Sequence, residues 1–434
     1  MTNNLMKKTM ILAAALLACQ GATANSFSEN FEKNFADSTL RIDYIVAGNS
    51  NESHIFLARQ KKMKGWAGRR HNLGRVPYEG NGTVTVCDSL TGDTIYRQSF
   101  STLFREWQDT DEARTTSRSF ENSMLVPLPR RAALITTELL DNRHRRGASN
   151  THLYSPADIL VAPVVNPDPA PWHYIHRGGD PKKAIDIAIL AEGFTPDEME
   201  AFNAKAAETV EALFSHSPFK DRRNDFNIAV VETPSRDSGV SVPRDNDWKE
   251  TAFGSAFDTF YSDRYLTSAR VFDIMDAAAH VPFEHIIILA NSDTYGGGGI
   301  YNSYELTTTG HDQFRPVVVH EFGHSFGGLA DEYFYEDDVM EDSYPLDVEP
   351  WEPNITTLVD FKSKWEPLLK EGTPVPTPES DADKYPTGVY EGGGYSFKGV
   401  YRPADHCRMR DNFAPDFCKA CAAAINRLID FYTK

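Results

Sequence analysis

Long apolar runs are missing from this chain. Beyond the first two dozen of its 434 residues, no segment approaches the length of unbroken apolar sequence that a spanning helix needs. Positive charge is also scarce. Lys and Arg number 44 against 62 Asp and Glu, a formal net charge of −18, which argues against a nucleic-acid or anionic-membrane surface. Cysteine is sparse, at five residues, and collagen-like, low-complexity and internally repeated stretches are absent. What is present is the composition of a folded protein, 41% hydrophobic and 12% aromatic. A chain of this length is expected to divide into two domains.

The first 24 residues read as a leader. Lys7 and Lys8 form a positive start, Met10 to Cys19 a short apolar run, and Ala22-Thr23-Ala24 a small-x-small cleavage pattern. Leu16-Leu17-Ala18-Cys19 also fits a bacterial lipoprotein box, with Cys19 as the lipidated residue. Either way the protein is expected outside the cytoplasm, secreted, periplasmic or on the cell surface.

Residues 25–162 are expected to form an all-β sandwich. Leu40 to Val46 alternates with period two, as does the stretch around Val84, and Phe120–Val126 and Ala133–Leu139 add short strands. Cys87, inside Thr83-Val84-Thr85-Val86-Cys87, reads as a buried thiol. Residues 163–171 carry four prolines and read as an extended linker. In residues 172–434 strands and helices alternate. Ala184–Leu190 reads as a strand buried on both faces. Thr195-Pro196-Asp197-Glu198 opens a helix to about Leu213 with a capping box and a proline in its first turn. Phe226–Val231 and His285–Ala290 read as strands and Tyr265–Ala279 as a helix, giving an α/β layer with a mixed or parallel sheet.

The chemistry concentrates in Gln313–Tyr333. His320 and His324 stand four apart in His320-Glu321-Phe322-Gly323-His324, so on a helix both imidazoles leave one face. Zinc suits two imidazoles and a carboxylate with a fourth position for water. Glu321 is placed to take a proton from that water and deliver it to the leaving amine. The bland alternative is a buried helix whose histidines merely find backbone partners. Gly327-Gly328 ends the helix and Asp331-Glu332 follows. In the metzincin spacing the third ligand would fall on Ala330, which cannot bind metal. Asp331, one residue later, is the expected third ligand. Glu332 is the alternative, or else orients a histidine from behind it.

Near the C-terminus, His406-Cys407-Arg408-Met409-Arg410 reads as a Met-turn with Met409 beneath the metal. A disulfide from Cys407 to Cys418 or Cys421 would staple it to a helix spanning about Cys418–Tyr432. The competing reading is a structural zinc site of the three cysteines with His406. Gly296–Gly299 precedes an alternating Ile300–Leu306, whose edge could pair with an extended peptide. Tyr301, Tyr304, His311, Tyr333, Arg408 and Arg410 are candidate transition-state stabilisers. Glu336, Asp337, Asp338, Glu341 and Asp342 could hold calcium, but they lack the spacing of a calcium loop and read better as a solvated acidic stretch.

These residues resemble the IgA-peptidase family of bacterial zinc metallopeptidases. The resemblance rests on Asp186–Thr195, on His320–Tyr333, and on Cys407-Arg408-Met409-Arg410 with Phe417, Cys418 and Cys421. Ser38–Tyr44 resembles the β-rich domain that often precedes it. It implies a zincin-like, metzincin-like catalytic domain, one zinc on His320 and His324, Glu321 as general base, and a protein or peptide substrate. It does not transfer the substrate's identity. Two other functions fit the same residues, a non-catalytic adhesion protein on a peptidase scaffold and a zinc amidase acting on cell-wall amides. Oligomeric state leaves no mark in the sequence.

Overall fold

The computed structural model describes residue 27, residues 29–334 and residues 344–434. The leader with Cys19 and the acids Glu336, Asp337, Asp338, Glu341 and Asp342 lie outside the described residues.

The N-terminal region is two four-stranded sheets. One has the order β5-β1-β2-β8 and the other β4-β3-β6-β7, where β1 is Phe35–Gly48, β2 Ser53–Lys64, β3 Gly82–Asp88, β4 Thr94–Phe100, β5 Arg118–Pro129, β6 Ala133–Leu140, β7 Arg146–Tyr154 and β8 Ala162–Pro163. Leu40, Ile42, Tyr44 and Val46 of β1 meet Val84 and Val86 of β3 in a shared core with Phe104 and Trp107. Those last two sit on a short helix, α1 (Leu103–Trp107). The intervening β1 residues Arg41 and Asp43 are fully buried but paired, Arg41 Nε donating to Asp43 Oδ1 at 2.7 Å. Arg41 also reaches Asp276 in the second region, so the polar face of this strand docks the two halves together.

The proline-rich stretch is less isolated than its composition predicts. Ala162–Pro163 pairs in parallel with β2. Just beyond the prolines, β9 (Trp172–Arg177) runs antiparallel to β11 (Phe226–Val231).

The second region is built on one six-stranded mixed sheet of order β13-β14-β12-β10-β11-β9. Its parallel centre is β14 (Tyr304–Thr308), β12 (His285–Ala290), β10 (Ile185–Glu192) and β11 (Phe226–Val231). β13 (Gly297–Ile300) lies antiparallel at one edge. Every residue of β10 is buried, as a strand covered on both faces must be. Ile187 and Ile189 face one core and Ala188 and Leu190 the other. The first core is closed by α2 (Met199–Leu213), α4 (Phe314–Ser325) and α5 (Lys419–Thr433), the second by α3 (Val271–Ala278). The capping box at Thr195 forms, with Thr195 N–H donating to Glu198 Oε2 at 2.8 Å.

Two sequence expectations change. The helix expected from Tyr265 begins only at Val271, because Tyr265 makes a bridge to Gly297 of the edge strand. Three glycines of the four-glycine run, Gly297 to Gly299, are themselves strand. A Cβ on Gly299 would stand 2.4 Å from the Glu321 carbonyl oxygen, so β13 lies against α4 only because its glycines carry no side chain.

Candidate metal centre

Helix α4 presents the two histidines. Phe314, Val318, Val319 and Phe322 are buried in the core beneath the sheet, which leaves His320 and His324 on the other face. Each imidazole is oriented from behind. His320 Nδ1–H donates to the Arg408 carbonyl at 2.9 Å, and His324 Nδ1–H to the Leu329 carbonyl at 2.6 Å. A carbonyl can only accept, so each Nδ1 carries a proton and a neutral ring has its lone pair on Nε2. The two Nε2 atoms lie 3.0 Å apart.

The turn after the helix delivers the carboxylate. Gly328 takes φ +60° and its N–H donates to the His324 carbonyl at 3.0 Å, a left-handed stop that reverses the chain. Asp331 Oδ1 then lies 3.0 Å from His320 Nε2 and 3.2 Å from His324 Nε2. Its Oδ2 accepts from the Tyr395 hydroxyl at 2.6 Å. Ala330 is tied down by Asn354, which accepts from its N–H and donates to its carbonyl, both at 2.8 Å.

With both rings neutral, two lone pairs and a carboxylate oxygen converge on one point. Burial favours a neutral ring at His324, yet Asp331 and the Glu321 charge raise its pKa to about 10. Burial likewise opposes ionisation of Asp331, and the imidazoles outweigh it, holding the carboxyl well below the usual range. A cation belongs at this point. The donor set, two imidazoles and one carboxylate with side chains only 12%, 16% and 10% exposed, fits a transition-metal ion that keeps an open position.

A model of the family IgA Peptidase M64 matches residues 174–387, and one of the Peptidase M64 N-terminus matches residues 30–150. The chain belongs to the IgA-peptidase family. No curated protein matches it. Membership makes the protein a peptidase, a hydrolase of protein substrates. Among the described residues no helix is long and apolar enough to cross a membrane.

In this peptidase Met409 is fully buried below α4, and a Cβ on Gly323 would stand 2.4 Å from its Sδ. Glycine at the fourth position of the histidine motif is therefore what admits the methionine. Glu332 points away from the histidines. It is 0% exposed, its N–H donates to the Met409 carbonyl at 2.8 Å, and its carboxyl meets Cys421.

The tyrosine and arginine candidates separate. Tyr333 stands beside the centre, its ring stacked on His320 with centroids 6.3 Å apart. Tyr301 is buried against Trp351. Tyr304 is committed to Ser268, donating to its carbonyl at 2.6 Å. Arg408 turns inward, with Nε donating to His216 Nε2 at 3.2 Å and Nη2 to the Ala414 carbonyl, and Arg410 pairs with Asp405. His311 accepts from the Gln313 N–H at 3.1 Å at the start of α4. Tyr301, Tyr304, Arg408 and Arg410 thus make contacts within the fold.

No disulfide is formed among the described cysteines. Cys87, Cys407, Cys418 and Cys421 are all free thiols, and His406 is 79% exposed, outside the cysteine cluster. The proposed edge for an extended peptide is partly taken, since Tyr265 already bridges Gly297.

Three contributors escaped the sequence reading. Asn354 and Tyr395 lie in irregular sequence with no motif to mark them. Tyr395 sits at φ +63° in the turn between β15 (Tyr390–Gly393) and β16 (Ser396–Arg402). That turn grips the ligand segment, Gly394 N–H donating to the Asp331 carbonyl at 2.8 Å and Tyr395 N–H to the Tyr333 carbonyl at 3.1 Å. The third is Glu106 on α1, which accepts from the Tyr265 hydroxyl. Burial pushes its carboxyl up to about 7; Tyr265 and His324 oppose that and the nearby Glu321 charge adds to it.

Proposed function

We propose that the protein is an exported zinc-dependent endopeptidase in which His320, His324 and Asp331 hold the ion and Glu321 is the general base. The observation that carries the reading is the convergence of His320 Nε2, His324 Nε2 and Asp331 Oδ1 within 3.2 Å of one another. Zinc bound there supplies a Lewis acid that acidifies water and polarises a peptide carbonyl.

Glu321 follows His320 on α4, and its carboxyl is pressed against the edge strand: a Cβ on Gly297 would stand 2.8 Å from Glu321 Oε1. Burial raises its pKa, the neighbouring imidazoles oppose the rise, and the Asp331 charge adds to it. A carboxylate tuned upward in this way is a competent base. It takes the proton of an attacking water and passes it to the departing amine. Tyr395 and the Arg408 and Leu329 carbonyls fix the three ligands, so little reorganisation is left for the reaction. The mixed sheet, the helix α4 beneath it and Met409 under Gly323 support a zincin-like, metzincin-like assignment for this domain.

The test is cleavage of a diverse peptide pool, alone, with a chelator and after zinc is restored. Peptide-bond hydrolysis that chelation abolishes and zinc recovers is the expected result. Turnover of muropeptide amides without any peptide cleavage would replace this reading with an amidase. Export rests on the pattern of residues 7–24, and N-terminal analysis of the mature protein checks it. A start at Asn25 or a lipidated Cys19 is expected, and an intact Met1 excludes it.

A further inference from the structure

Directly behind the histidine cluster lies a second group of metal-ligating side chains. Glu332, Cys407, Cys418 and Cys421 each offer one ligand atom, and the four atoms lie within 4.8 Å of one another. Cys407 and Cys421 are fully buried, as is Glu332. A carboxylate in that position is costly unless a cation or a full set of donors meets it. Glu332 Oε1 has the Asn354 amide at 3.0 Å and the Cys421 thiol at 2.9 Å. Its Oε2 is buried with no hydrogen-bond partner.

The sulfurs are arranged as ligands. Cys418 and Cys421 have the C-x-x-C spacing of metal sites at the start of α5, where the Cys421 N–H approaches Cys418 Sγ at 3.5 Å. The Cys418 N–H donates to Cys407 Sγ at 3.2 Å. Such N–H···S contacts stabilise thiolate. Cys407 Sγ and Cys421 Sγ are 3.7 Å apart, close to the edge of about 3.8 Å in a tetrahedron with zinc–sulfur bonds of about 2.3 Å. The Glu332–Cys421 contact is shorter than such an edge, as a thiol proton shared with the carboxylate requires when no ion is bound.

We infer that Cys407, Cys418, Cys421 and Glu332 form a second, structural metal site that takes a soft divalent cation, zinc by ligand type. Three thiols with a carboxylate select zinc over calcium or magnesium, and a closed set of four protein ligands is the mark of a structural site. Binding releases the thiol protons to solvent. Its consequence follows from the chain path. Glu332 adjoins Asp331, and Cys407 adjoins Arg408, whose carbonyl orients His320. An ion here would clamp both segments that build the histidine cluster.

Metal analysis of the purified full chain tests this independently of peptidase activity. About two zinc ions per chain are expected, falling to about one in His320→Ala and about one in Cys418→Ser. In Cys418→Ser the remaining ion should bind about tenfold or more weakly. His320→Ala leaves the cysteines untouched, so cobalt exchanged into it should still give a thiolate-to-cobalt charge-transfer band in the near ultraviolet. His320→Ala without metal, or unreduced peptide maps joining two of Cys407, Cys418 and Cys421 in a disulfide, would overturn the site. A wild-type chain with one zinc and three alkylatable thiols in that cluster would overturn it equally.

Discussion

Asp331 and Glu332 are neighbours in the chain and face opposite ways. Asp331 joins two imidazoles whose side chains keep some exposure. Glu332 joins three cysteines, of which Cys407 and Cys421 are buried and Cys418 half-buried. The first cluster brings together three side chains from two short segments; the second closes four side chains on one another. An open set can admit substrate, and a closed set can only hold structure. The same two stretches of chain, 331–332 and 407–409, supply parts of both. Asn354 secures the division, bonding Ala330 and Glu332 at once. The place of Asp331, one residue beyond the metzincin slot, is thus the geometry that lets one strand of backbone serve two clusters.

Turnover should separate the clusters most sharply. Glu321→Ala is expected to cost about 10³-fold or more in kcat/KM while metal content stays at the wild-type level. Steady-state kinetics beside metal analysis check both halves, and retained hydrolysis would remove Glu321 from the base role. Next comes the choice of carboxylate. Asp331→Ala should weaken zinc at the histidine cluster by about 10²-fold, and Glu332→Ala by about tenfold, through its neighbour alone. Competition with a calibrated chelator measures both, and the reverse order would mean that the ligand register is misread.

Much of the histidine cluster was legible because helical spacing is a local property. His320 and His324 share a face whatever surrounds them, and Gly327-Gly328 announces the turn. The strands with strict alternation, from Leu40, Val84 and Ala133, were legible for the same reason, as was the mixed sheet from its apolar runs. The rest depends on contacts distant in sequence. Nothing local distinguishes Tyr395 or Asn354, which act from hairpin and loop residues folded back onto 330–333. The cysteines looked like a staple because their pairing partner in space, Glu332, lies 75 residues before Cys407. The edge strand was misplaced because four glycines carry no strand propensity. Only the approach of α4 explains why they are there.

The clusters should also differ in their response to pH. In the metal-free protein His324 stays protonated up to about pH 10, since Asp331 and Glu321 outweigh the effect of burial. A raised histidine pKa stabilises the metal-free fold fully below its unfolded value of about 6.5. That contribution is lost as pH rises through about 10. An ion entering the cluster must displace that proton, so apparent affinity should rise about tenfold per pH unit across neutral pH. Zinc titrations from pH 6 to 9 check the slope; a flat profile would mean that the cluster carries no proton when empty.

The smallest effect tests how the open cluster is held. The Tyr395 hydroxyl donates to Asp331 Oδ2 at 2.6 Å, so its lone pair is what faces the Tyr333 hydroxyl, 3.1 Å away. Tyr395→Phe removes the bond that fixes the carboxylate and should weaken zinc and activity together by about tenfold. Tyr333→Phe keeps the ring on His320 and deletes only the outer hydroxyl, so its effect on zinc affinity should stay within about threefold. Measured side by side, the pair distinguishes two uses of a phenol. If Tyr333→Phe lowers kcat far more than it weakens zinc, its hydroxyl acts on the substrate, and the hydrogen bond to Tyr395 is only where it rests before the substrate arrives.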